Sequence, residues 1–132
     1  MKQKEFMDAL VQAKRIGNLL DDVYDLSMQL SDAVNRGDRV SIQMIITMRE
    51  EPVSKLKLAD TALRDQISAL SKTDPETAKR LAVIMDGGKA GASDEEPLAK
   101  QVAINRRQLV KVLELDRMLN KKIAREKSIY ID

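Results

Sequence analysis

The sequence predicts an all-α protein: an elongated antiparallel bundle of three long helices and one short helix with coiled-coil-like packing, in a single domain of 132 residues. Three observations lead there. Aromatic residues make up only 2% of the chain, so the core has to be built from aliphatic side chains, which suit helices better than a sheet. Apolar residues recur at steps of three and four over three long stretches, the period of one helix face. Glycine and proline are few, and most of them stand at the joints between those stretches.

The first helix is expected over 5–35, where Phe6, Leu10, Ala13, Ile16, Leu20, Val23, Leu26, Leu30 and Val34 form one stripe. Gly37 suits the left-handed residue that closes a helix, and Asp38 suits the N-cap that opens the next. A connection this short turns the second helix back along the first. That second helix is expected over 39–71 on Ile42, Ile45, Ile46, Val53, Leu56, Ala59, Leu63, Ile67 and Leu70. Pro52 lies inside it, where it removes a backbone donor at a cost of about 3 kcal/mol, so a kink or break is expected near 49–52. Arg49 falls on the apolar seam and is expected to reach past it to the surface.

Thr73-Asp74-Pro75-Glu76 opens a short helix over 75–86. Residues 87–92, with Gly87, Gly88 and Gly91, read as a flexible linker and hinge. The last helix is expected over 94–127. Ser93 and Glu96 have the spacing of a capping box, Pro97 sits in the first turn, and the final turns gather Arg117, Lys121, Lys122, Arg125 and Lys127. Its seam of Leu98, Val102, Asn105, Leu109, Val112, Asp116, Leu119 and Ile123 alternates steps of four and three, as in a coiled coil. A second stripe, Ala99, Ala103, Val110 and Leu113, runs beside it. One stripe is expected to pack on the first two helices and the other to receive an amphipathic helix of a partner. The closing Ser128-Ile129-Tyr130-Ile131-Asp132 is apolar but terminal, hence frayed or docked.

Several chemistries are excluded outright. Without cysteine there are no disulfides, thiolate metal sites or thiol nucleophiles, and without histidine there is no imidazole base or Glu-x-x-His metal motif. No stretch is long and apolar enough to span a membrane, and the charged N-terminus does not read as a signal peptide, so a cytoplasmic protein is expected. Residues 98–132 hold nine Lys or Arg against four Asp or Glu, a surplus that serves the helix macrodipole and does not require nucleic acid.

Four acidic or glycine-rich stretches imitate catalytic motifs. Asp21-Asp22-Val23-Tyr24-Asp25 has the D-D-x-x-D spacing that holds magnesium and diphosphate, but no second acidic motif answers it. Gly87-Gly88-Lys89 lacks the upstream glycine and the following Ser or Thr of a phosphate loop. Glu50-Glu51 and Asp94-Glu95-Glu96 would serve a small magnesium-dependent phosphohydrolase only if paired across facing helices. No cofactor or metal is expected, and the chain is read as a non-enzyme. Met28, Met44, Met48, Met85 and Met118 lie near the apolar stripes, where methionine fills irregular core space or serves an adaptable surface.

Two segments resemble the FlgN family of flagellar export chaperones. One is Leu19 to Leu58, with its Ala33-to-Asp38 turn and Met48-Arg49-Glu50-Glu51; the other is Asn105-Arg106-Arg107-Gln108-Leu109 through Ile123. Together they cover about two thirds of the chain. The resemblance implies a cytoplasmic chaperone that binds the C-terminal helices of hook-associated proteins, prevents their premature assembly and delivers them to the export apparatus. It places cargo recognition on Val102, Asn105, Leu109, Val112, Leu113, Asp116, Leu119 and Ile123. Pro52, and Asp116 where asparagine is more usual, depart from the family's pattern. A homodimer is left open, as are two other classes: a self-assembling coiled-coil protein and the phosphohydrolase.

Overall fold

The computed structural model describes the backbone of residues 2–131 and the side chains of residues 3–125. The described chain is helical, with no strand: α1 (Lys2–Arg36), α2 (Arg39–Thr73), α3 (Pro75–Met85) and α4 (Glu96–Ile131), with a single 3-10 turn, Ser93–Glu95, before α4. The side chains of the closing segment from Ser128 lie outside the described residues.

Local chemistry fixes each joint. Gly37 takes φ +66°, and its amide and that of Asp38 donate to the carbonyls of Val34 and Ala33, closing α1 with bonds only a left-handed residue permits. Asp38 then caps α2: the Ser41 amide donates to its carboxylate at 3.1 Å and the Ser41 hydroxyl at 2.6 Å. Asp74 repeats the device for α3, accepting from the Thr77 amide at 3.3 Å and the Thr77 hydroxyl at 2.6 Å, with Pro75 in the first turn. At the far end of α3, Gly87 takes φ +94° and the amides of Gly87 and Gly88 return to Ile84 and Val83.

The break that Pro52 could have made in α2 does not occur. α2 runs unbroken as a helix through Pro52, whose ring is buried. Packing of the ring offsets the one backbone bond the imide cannot make. The start of α4 relies on Glu95 more than on a Ser93–Glu96 capping box. Glu95 is only 2% exposed and accepts from the Arg80 guanidinium at 2.7 and 3.1 Å and from the Gly91 amide at 3.0 Å. Arg80 also donates to the Lys89 carbonyl at 3.1 Å. Residues 87–92 form a turn held at both ends: at one by the α3 cap, at the other by Glu95 and Arg80.

α1 occupies the middle of the bundle, packed along one side by α2 and along the other by α4. α2 is antiparallel to α1, as the Gln66 amide donating to the Glu5 carbonyl at 3.0 Å shows. Because α2 returns the chain to the starting end and α3 closes that end, α4 runs parallel to α1, with Leu98 beside Phe6 and Lys122 beside Asn35. At about 1.5 Å per residue, helices of 35 and 36 residues reach roughly 50 Å.

Two apolar clusters hold the bundle together. Near the α3 end, Phe6, Ala9 and Ala13 meet Leu63, Leu81, Ile84, Leu98 and Val102, so all four helices contribute. Near the α1–α2 turn, Leu30, Ala33 and Val34 meet Ile45 and Leu119, flanked by Ile42, Ile46, Leu115 and Ile123. Each buried Leu or Ile contributes about 1.5–3 kcal/mol. Between the clusters, polar contacts of α4 with its neighbours stand among buried Leu20, Val23 and Val112.

Candidate partner-binding surface

The eight residues singled out on the last helix separate into two groups. Val102, Asn105, Val112 and Leu119 are buried, Asp116 and Ile123 are half-buried, and Leu109 and Leu113 are exposed. Thus the four buried residues are not a free binding face. Apart from Leu109, the seam read from the sequence is the face α4 turns toward α1 and α2, and a coiled-coil period reports only that an apolar face will be covered.

Asn105 explains why a polar residue sits on that seam. Its Nδ2 donates to the Ala13 carbonyl of α1 at 2.7 Å, and its Oδ1 accepts from Gln101 at 2.9 Å. Gly17 of α1 lies directly opposite: a Cβ there would stand 2.8 Å from Asn105 Oδ1 and 2.9 Å from Gln101 Nε2. Asn105 thereby fixes the register of α4 on α1, a role inside the chain where the sequence suggested one toward a partner.

Asp116 is occupied in the same way. It accepts from Arg49 of α2 at 2.6 Å, with side chains 31% and 20% exposed. Arg49, expected to reach past the seam to solvent, instead crosses to the acid that interrupts the facing helix. The two seam-breaking charges answer each other.

What remains accessible on α4 is a flank carrying Leu109 (43% exposed), Val110 (54%) and Leu113 (51%). Steps of three and four place Arg106 and Arg117 on the same side, so the apolar strip is bracketed by guanidinium groups. Arg106 also lies against the linker, within 3.0 Å of where a Cβ on Gly87 would stand. Val110 and Leu113 belong to the second stripe visible in the sequence, which was the signal for this flank. Four of the five singled-out methionines, Met28, Met44, Met48 and Met118, are exposed, while Met85 packs beside the α3-end cluster.

The stretches that imitate catalytic motifs are placed differently. Asp21, Asp22 and Asp25 are exposed on α1. Glu51 is paired with Lys55 at 2.9 Å, and this hydrogen bond holds its carboxyl below the ordinary range. Glu95 is committed to Arg80, whose guanidinium it pushes still higher in pKa through their hydrogen bond. Gly87 and Gly88 end a helix rather than cradle an anion. Among the described residues no group of three or more His, Cys, Asp or Glu is placed to hold a metal ion. Nor is any described helix long and apolar enough to cross a membrane.

Comparison of the chain with protein-family models, with curated proteins and with solved structures returned no match.

Proposed function

We propose that this chain is a cytoplasmic FlgN-type export chaperone, a non-enzymatic, elongated bundle of three long helices and one short helix, with α2 antiparallel and α4 parallel to α1. In this reading it holds an amphipathic C-terminal helix of a hook-associated protein and delivers it to the flagellar export apparatus. The observation that carries the reading is the α4 flank of Leu109, Val110 and Leu113 between Arg106 and Arg117. It lies within the helix on which the resemblance places cargo recognition. A stable fold gains nothing from three exposed large aliphatic side chains on one flank, whereas a partner helix presenting apolar residues at i, i+3 and i+4 would cover them. The arginines would accept acidic residues at the partner's rim.

The buried seam and the exposed flank then divide the work of α4. Val102, Asn105, Val112 and Leu119 hold the helix in place, while Leu109 and Leu113 meet the cargo. Titrating the chain with a C-terminal helical peptide of a hook-associated protein tests this. Leu109→Ala with Leu113→Ala should weaken binding by about 2 kcal/mol, or about 30-fold, with helical content unchanged, because neither residue is needed to close the core. An unchanged affinity would remove the flank from the binding site, and no binding by the unaltered chain would remove the proposal.

A further inference from the structure

On the outer side of the α1–α2 hairpin lies an uncovered groove to which α4 contributes no residue. One half, of about 710 Å³, has an apolar floor that includes Leu19 and Ala59, and a rim carrying Lys14, Arg15 and Lys55 with no carboxylate. The adjoining half shares Leu19 and Lys55 but is lined by Asp22, Asp25 and Glu51. Leu58 is 70% exposed at the basic half, opposite the exposed Val11.

We propose that this face docks a second copy of the chain in a two-fold arrangement, the basic half of each groove against the acidic half of the other. A two-fold axis through the shared Leu19–Lys55 position exchanges the halves, so Lys14 and Arg15 of one copy meet the acidic half of its partner twice over. Lys55 lies near that axis, yet its pairing with Glu51 at 2.9 Å keeps two bare ammonium groups from facing each other. A uniformly acidic partner helix would suit the first half and be repelled by the second, which is why self-docking fits better. From Val11 to Gln29 the groove runs about 27 Å, and two helices are about 20 Å across. That gives about 500 Å² per copy, and about 1,000 Å² in all reaches the lower bound for a specific interface. The surface is separate from the α4 flank, so cargo binding and dimer formation can each fail without the other.

Sedimentation equilibrium of the full chain across concentration tests the proposal. Lys14→Glu with Arg15→Glu makes both halves of the groove net acidic, and Asp22→Lys with Asp25→Lys makes both net basic, the Glu51–Lys55 pair being left in place. All four residues are exposed, so helical content should not change. The unaltered chain should show a monomer–dimer equilibrium, and each charge variant alone should weaken it about tenfold or more. A mixture of the two variants should form a one-to-one heterodimer at least as tight as the original, and Leu58→Glu should give a monomer. An unaltered chain that stays monomeric at millimolar concentration would overturn the proposal. So would a dimer indifferent to the charge variants, or a monomer that takes up an acidic Glu/Leu amphipathic peptide through Lys14 and Arg15.

Discussion

Replacing Gly17 by alanine should change sign with the residue facing it. In an exposed helix interior, Gly→Ala stabilises by about 1 kcal/mol because the backbone loses less freedom on folding. Here the new Cβ would stand 2.8 Å from Asn105 Oδ1 and 2.9 Å from Gln101 Nε2, too close for real contacts. Asn105 would have to turn away, giving up its 2.7 Å bond to the Ala13 carbonyl and leaving a buried amide unpaired. That costs about 1–3 kcal/mol, so Gly17→Ala should destabilise the chain by roughly 1 kcal/mol net. With Asn105→Ala already in place, Gln101 loses its partner, is free to swing outward, and the space opens. Gly17→Ala should then stabilise by about 1 kcal/mol. Urea unfolding followed by far-ultraviolet circular dichroism on the four chains of this cycle gives a coupling of about 2 kcal/mol. A Gly17→Ala effect of the same sign and size in both backgrounds would refute the close α1–α4 contact and the register role of Asn105.

Other outcomes follow from the same contacts. Leu119→Ala should cost about 2–5 kcal/mol in urea unfolding as a core deletion, while Leu113→Ala should cost under about 1 kcal/mol. Asp116→Ala, which leaves the Arg49 guanidinium partly buried without its acid, should cost about 1–2 kcal/mol; adding Arg49→Met should recover most of that if the pair is isolated. Asp38 is held below the ordinary carboxylate range, first by the Ser41 hydroxyl and then by the Ser41 amide. Its contribution is therefore fully present above the ordinary aspartate pKa and lost as pH falls through the lowered value. Thermal melts across the acid range should lose part of their pH dependence in Asp38→Ser, whose cap is uncharged. By hydrogen exchange, the Gly88 and Gly91 amides should be protected in the unaltered chain, and Glu95→Ala should release Gly91.

The features legible in the sequence are those set by neighbours a few residues apart. Gly37 and Asp38, or Asp74 and Pro75, end and start helices through bonds within their own turn, so their roles could be read directly. Pro52 did not break α2: its local penalty is real, but its buried ring is a tertiary matter. The bonds at the linker's ends were hidden for a related reason: three glycines signal freedom, while Glu95 and Arg80, fifteen residues apart, meet only in the fold. Arg49 and Asp116 were each visible as a charge on an apolar seam, but they are 67 residues apart and only the fold brings them together. The periodicity of α4 showed two stripes without deciding which the rest of the chain would cover. Asn105 turns most of the seam inward through its hydrogen bond to α1, while Leu109 of the seam stays exposed with Val110 and Leu113 of the second stripe.

Hydrogen exchange of the chain, alone and saturated with the C-terminal helical peptide of a hook-associated protein, bears most directly on the proposed cargo role. Added protection should concentrate on α4 from about Ile104 to Met118, around the exposed flank, with little change at Leu98, Val102 or Ala13. Protection confined to the outer α1–α2 groove, or none at saturating peptide, would contradict it.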